Sequence, residues 1–484
     1  MAAANIESDY SSNVRHIRPP IVLYKPSMWG DIFSTFSFDN KVQEKYSEAM
    51  EALKKEIGSM LMAAESTKLM ILIDRIERLG VAYHFEYEIE EKLKQIYDSE
   101  EEENYDVFTT ALRFRLLRQH QYPVSCDVFN KFVDKDSKWR SESHSIDIEG
   151  ILCLYEAAHV RIHNEKSLDE AAKLTVDQLN QMLPTLDQSP IMIEKVEQSL
   201  KHSIHRGLPL LNIRFYISIY ERERATDESL LKLAKLNFNF LQNIYRKELA
   251  ELTRWDLDEI DVLPDFMKVV YRAFVSEYED YVVEAEKQGK PYVVPYYKEA
   301  VIQVGRAYNQ VQKWIMERQM PGFEEYMTNA VITSCIFVMF TSLIPGMKSD
   351  VNEEVVQWLH SEPKIVISTA KLGRTVDDLG THERENREGK LPTVVDCYMK
   401  DKGVSKQEAI NEFVELVENG WKDITAEWIK GNSSVPKEMM EQLLNYGRMA
   451  EITYTNKEDG FTYPEKYLGP LIASLYVDPL PLHI

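Results

Sequence analysis

Glycine and proline are scarce in this chain, 18 and 19 of 484 residues. That leaves few positions for tight turns and argues against a β-rich fold. Long amphipathic stretches such as 42–61 and 408–421 are present instead, with apolar residues recurring every three or four positions. The expectation is an all-α protein. Cysteine is rarer still: Cys126, Cys153, Cys335 and Cys397 show no close pairing, which suits a reducing compartment and forms no metal-ligand set. Positive charge is outweighed, 57 Lys+Arg against 79 Asp+Glu, for a net charge of −22. Nucleic acid and anionic membrane surfaces are therefore not expected partners, and a polyanionic ligand would need local cations or metals. No apolar signal core or Arg/Ser-rich transit stretch opens the sequence. The one long apolar run, 330–347, contains Thr333, Ser334, Thr341, Ser342 and Pro345 and reads as a buried core helix, not a membrane span. At 44% hydrophobic and 28% charged, the composition is that of a soluble globular protein with room for two or three domains.

The chemistry concentrates in one stretch, Arg374-Thr375-Val376-Asp377-Asp378-Leu379-Gly380-Thr381-His382-Glu383-Arg384-Glu385. On a helix, Asp377, Thr381 and Glu385 project from one face, one turn above another. Two carboxylates and a hydroxyl are hard oxygen ligands, suited to Mg2+ or Mn2+ with water and phosphate oxygens completing the shell. Arg374 lies one turn before Asp377, placed to fork onto a phosphate that the metal also touches. An exposed, charge-rich helix end would show the same acidic spacing. The fixed order of residue types is more informative than their charge.

That order, Arg-x-x-Asp-Asp-x-x-Thr-x-x-x-Glu, resembles the second metal-binding motif of plant terpene synthases, the (N/D)Dxx(S/T)xxxE box. Other blocks are similar to that family's N-terminal helical domain: 73–81, 83–85, 114–120, 125–129 and 154–158. Read from the residues alone, these are core stripes whose histidines and cysteines pack without binding metal. The resemblance divides the chain into a strap over 1–30, an N-terminal helical domain over 31–222 and a metal-binding domain over 223–484, joined near 214–228. The strap match is imperfect, because Pro19 and Pro20 stand where the family has a basic pair eight residues before Trp29. Tyr454 and Asp459 match residues of the lid loop that closes the family's pocket, and Phe461 replaces a usual tyrosine. From the residues alone, an Asp-Gly turn between two helices is the other reading of 459–460.

One part of the family pattern is missing. After Trp255 the resemblance calls for an Arg-x-Arg loop and a helix carrying a DDxx(D/E) box. Trp255 instead runs directly into Asp256, so a block of roughly 70 residues, enough for several ordinary helices, is absent in register at 255/256. Asp256, Asp258, Glu259 and Asp261 offer a substitute cation site of poor spacing; acids at a helix start are also ordinary dipole residues. The resemblance implies a cytoplasmic, monomeric sesquiterpene synthase that ionises farnesyl diphosphate, or another prenyl diphosphate, with Mg2+. Arg374 would hold diphosphate, Asp377, Thr381 and Glu385 would hold metal, and Tyr454 and Asp459 would act from the lid. With the first aspartate box missing, weak or absent turnover is expected. A non-catalytic protein that binds a prenyl diphosphate or a partner synthase is the alternative.

Overall fold

The computed structural model describes residues 29, 32–33, 35–99, 105–134, 139, 147–186, 189–223, 226–252, 265–388, 392–432 and 434–481, with backbone alone at 250–252, 265–275 and 386–388. The described residues are 76% helical and contain no strand, only an isolated bridge between Val133 and Trp139. The basic strap residues, the substitute acids at 256–261 and the join at 255/256 lie outside the described residues.

Among the described residues, nine helices run through the first half: α1 (Asn40–Ala63), α2 (Ser66–Arg78), α3 (Glu86–Asp98), α4 (Val107–Gln119), α5 (Ile148–Ala158), α6 (Lys166–Met182), α7 (Pro190–Lys201), α8 (Pro209–Tyr220) and α9 (Glu228–Leu252). Ten follow: α10 (Asp265–Lys287), α11 (Val293–Met316), α12 (Phe323–Thr333), α13 (Ile336–Leu343), α14 (Glu353–His360), α15 (Lys364–Glu388), α16 (Val394–Lys402), α17 (Lys406–Lys430), α18 (Lys437–Thr453) and α19 (Leu468–Tyr476). Aspartates start several of them. The Asp106 and Asp147 carboxylates each accept a backbone N–H from three residues on, at 2.8 Å, satisfying donors the helix leaves open.

Two compact units emerge. The first gathers the described residues of Asp31–Arg254, Thr425–Gly431 and Pro464–Ile484. Its core holds the stripes anticipated above: Ile73, Ile76, Leu79, Val81, Phe114, Leu116, Leu117, Phe129, Leu154 and Ala157 are all buried. Inside it lies a charged pair, one member of which comes from those same blocks. Arg118, with 3% of its side chain exposed, donates to Glu165 Oε2 at 2.8 Å, to Val160 O at 3.0 Å and through Nη2 to Val124 O at 2.7 Å. Ile162 N–H closes the set on Glu165 Oε2 at 2.8 Å. The C-terminal tail joins this unit through polar clamps on α9. Asn239 exchanges two hydrogen bonds with the Leu480 backbone at 3.0 Å, and Gln242 donates to Leu475 O at 2.8 Å. Compactness thus groups α9 with the first eight helices, whereas the sequence reading begins its second domain at residue 223.

The second unit gathers Trp29 with the described residues of Trp255–Ile424 and Asn432–Tyr463. α15 packs along α18 and against α12, which also meets α16 and α11. One of its core clusters joins Trp314, Tyr326, Met327, Val394, Val395, Cys397 and Phe413. The apolar run 330–347 is not one continuous helix. Cys335 sits in the left-handed region (φ 61°) between α12 and α13, a conformation that costs a non-glycine residue free energy. The carbonyls released by this break are taken by tyrosines: Tyr308 hydroxyl donates to Thr333 O at 3.1 Å and Tyr446 hydroxyl to Ser334 O at 2.9 Å. The stretch 323–346 is long and apolar enough to cross a membrane, but half of its apolar window is buried inside the protein. All four cysteines are free.

Candidate metal-binding site

α15 begins after Pro363 and buries Ile365, Val366, Ala370, Leu372 and Val376. Two interior glycines, Gly373 and Gly380, each cost about 1 kcal/mol of helix stability relative to alanine. Asp377, Thr381 and Glu385 follow one another at four-residue intervals on this helix, the spacing that stacks side chains on one face. They are enclosed, with side-chain exposures of 19% for Asp377 and 13% for Glu385, and 3% for Thr381 as a residue.

Arg374 is paired with both aspartates of the box, with Asp377 and, through Nε at 2.8 Å, with Asp378. Asp378 is fully buried and also accepts the Tyr326 hydroxyl at 2.7 Å and the Val394 N–H at 2.6 Å. Those donors consume its oxygens and make it a bolt between α12, α15 and the start of α16. Tyr454 hydroxyl is hydrogen-bonded to Asp377. Asp459 accepts from Arg384 Nε at 2.8 Å, and Arg384 Nη2 reaches Glu385 Oε1 at 3.5 Å. All six residues singled out in the sequence therefore meet around α15. Arg374 meets the box already neutralised by two carboxylates.

Burial raises the Asp377 carboxyl; Asp378 adds to the shift and Arg374 opposes it. Glu385 is pushed up to about 7, by burial first and then by Asp378 and Asp377. Burial also pushes the Tyr308 and Tyr446 phenols up to about 12. The wall is a desolvated cluster of carboxyl groups that hold their protons more tightly than in water.

The N-terminal domain model of the terpene synthase family matches residues 28–200, and the family's metal-binding domain model matches 247–423. The chain belongs to the terpene synthase family. This terpene synthase is 42% identical to gamma-cadinene synthase of Ocimum basilicum, over 97% of this chain and 99% of that protein. It is 35% identical to a valerianol synthase of Camellia hiemalis over the full length of both. Isoprene synthase from grey poplar, solved with three Mg2+ ions and dimethylallyl-S-thiolodiphosphate, superimposes with a TM-score of 0.81 at 24% identity, covering 91% of this chain and 98% of that one. The alignment to the valerianol synthase extends over 559 positions against 484 residues here, so 75 positions have no counterpart in this chain.

The residues of this terpene synthase fit a divalent cation. Thr381 Oγ1 is buried without a hydrogen-bonding partner, an arrangement that costs free energy unless something supplies one. Asp377 and Glu385 resist ionisation in the bare wall, which a cation beside them would reverse. Among the described residues no group of three or more His, Cys, Asp or Glu is placed to hold a metal. Two carboxylates and a hydroxyl leave positions for water or phosphate oxygens, as Mg2+ prefers.

A pH test follows from Glu385, whose pKa rises from 4.5 to about 7 on folding. Between those values the unfolded chain has released this proton and the folded chain keeps it, so stability falls as pH rises through the window. Melted without metal at about pH 5 and about pH 7, the protein should lose more stability than Glu385→Gln does over the same interval. An equal loss in both would remove Glu385 as the cause.

Sequence reasoning passed over Tyr326, Tyr446 and Arg384. None stands in the box pattern, and Tyr326 and Tyr446 reach the site from α12 and α18. Arg384 carried a signal: it lies seven residues after Asp377, two helical turns on the same side.

Proposed function

We propose that this chain is a sesquiterpene synthase-type protein that binds farnesyl diphosphate through one Mg2+ at Asp377, Thr381 and Glu385. The observation that carries the reading is the partnerless, buried Thr381 hydroxyl, spaced four residues from each of two carboxyls that burial holds back from ionising. When bound, the metal would act as a Lewis acid on the diphosphate leaving group. Arg374 lies beside Asp377 and would offer its guanidinium to diphosphate oxygens once a cation takes over part of the Asp377 charge. Tyr454 and Asp459 would close the wall from the lid and exclude water, which would otherwise quench an allylic cation. Tyr308 and Tyr446 would bring phenol faces near the site, and aromatic faces stabilise positive charge.

The second reading, binding without turnover, is favoured by the 75 positions without counterpart together with the resemblance, which puts the gap at 255/256, where two further metals and the Arg-x-Arg loop would be held. In either reading, calorimetry should find Mg2+-dependent binding of farnesyl diphosphate. Asp377→Ala and Glu385→Ala should each weaken it by about tenfold or more, the loss of one charged ligand contact. Binding that needs no metal and ignores both substitutions would refute the assignment. Product analysis then separates the two readings.

A further inference from the structure

Gly380 stands inside the box, in ordinary helical backbone, where nothing about its conformation requires glycine. What requires it is space. A Cβ there would fall 2.9 Å from Tyr454 Cδ1, 3.2 Å from Tyr454 Cβ and 3.3 Å from the Glu458 carbonyl oxygen. The first of these distances is shorter than side chains tolerate, and the third is against backbone, which cannot swing aside. The segment it meets is tightly bent. Asn456 and Lys457 both lie in the left-handed region (φ 59° and 60°), and Gly460 N–H donates to Thr453 O at 3.0 Å. Asp459 accepts Thr462 N–H at 2.8 Å and ties the far side to Arg384.

We propose that Gly380 is a positioning residue for the lid: its missing side chain is the seat that brings the Tyr454 hydroxyl to Asp377. Helix stability favours alanine at this position, so glycine stands here against local preference. Packing is close enough here that one methyl group is felt. The structural claim stands on geometry alone; its consequence for ligand binding rests on Asp377 being a metal ligand, as read above. Gly373, seven residues earlier, supplies the control. A Cβ there would fall 2.6 Å from Tyr446 Cε1, a ring that belongs to α18 and bonds the α12 break, not the lid.

Hydrogen–deuterium exchange on the purified full chain, without metal, tests the seat. In Gly380→Ala, exchange over 454–463 should rise about tenfold, while α12 and α16 keep their protection. Gly373→Ala should leave 454–463 unchanged. In a Tyr454→Ala background the tightest contact, with the ring, is gone while those with Cβ and the Glu458 carbonyl remain, and adding Gly380→Ala should raise exchange of the segment several-fold less than in the parent, because coupled sites are non-additive. Unchanged exchange in Gly380→Ala, an equal rise in Gly373→Ala, or a rise spread evenly over the whole unit would overturn the proposal. Should Gly380→Ala fail to fold, recovery of folded protein in the double variant with Tyr454→Ala supports the seat, and failure to recover overturns it. Calorimetry with Mg2+ and inorganic pyrophosphate on the unaltered chain tests the metal reading separately, so the two can fail independently.

Discussion

Assayed with farnesyl diphosphate and Mg2+, the purified chain should release little or no cyclised terpene. A variant carrying the homologous family segment after Trp255 should turn over, and Asp377→Ala should silence it again. Departure of pyrophosphate places negative charge on the leaving group, and catalysis requires that charge to be met by preorganised cations. The described residues offer Arg374 and one prospective cation wall, and Arg374 is partly spent on Asp377 and Asp378. Removing a single preorganised donor from an active site costs on the order of 10²–10³ in rate. Without the two metals and the arginine loop that the resemblance places in that segment, the cost should be at least 10³, enough to drop product below routine detection by gas chromatography. Robust product from the unmodified chain would mean that the 75 missing positions are dispensable, or that Asp256, Asp258, Glu259 and Asp261 replace them.

The largest stability effect should come from the other unit. Arg118→Met should destabilise the protein by about 3–5 kcal/mol, the usual cost of leaving one member of a buried ion pair without its partner. Glu165 would keep the Ile162 N–H but lose its cation, and the Val124 and Val160 carbonyls would lose their donor. Trp428, which donates to Arg118 O at 3.2 Å, binds the backbone and should be indifferent to the side chain. Replacing both partners together, Arg118→Met with Glu165→Leu, should recover part of the loss, because no lone charge remains buried. Urea unfolding monitored by circular dichroism reads both. A loss below about 1 kcal/mol for Arg118→Met would place the pair among surface-like bridges of little weight.

Helical periodicity made the elements legible, because apolar spacing of three and four residues is imposed by the helix itself. α1 and α17 fall where 42–61 and 408–421 called for them, and Ile73, Ile76, Phe114, Phe129, Leu154 and Ala158 of the core stripes are buried as read, whereas Tyr83 of the same blocks is exposed. The box was legible for a different reason: its spacing is local, three oxygen-bearing side chains on one helix. Its surroundings were not. Asp378 looks like Asp377 in the sequence, yet one is bolted by Tyr326 and Val394, 52 and 16 residues away, and the other remains beside Thr381.

Composition and periodicity, then, were enough to specify an all-α chain and its helices, and the order of residue types in the box pointed to its family, since each depends on neighbours within a turn or two. Partnership across long separations followed from packing. The seating of Tyr454 on Gly380, the tying of 475–480 to Gln242 and Asn239, and the capture of Arg374 by two carboxylates are such cases. Each depends on which buried polar groups find one another, and a buried group without a partner is costly. No local pattern encodes that choice, because the partner is supplied by a distant segment only after the helices have packed.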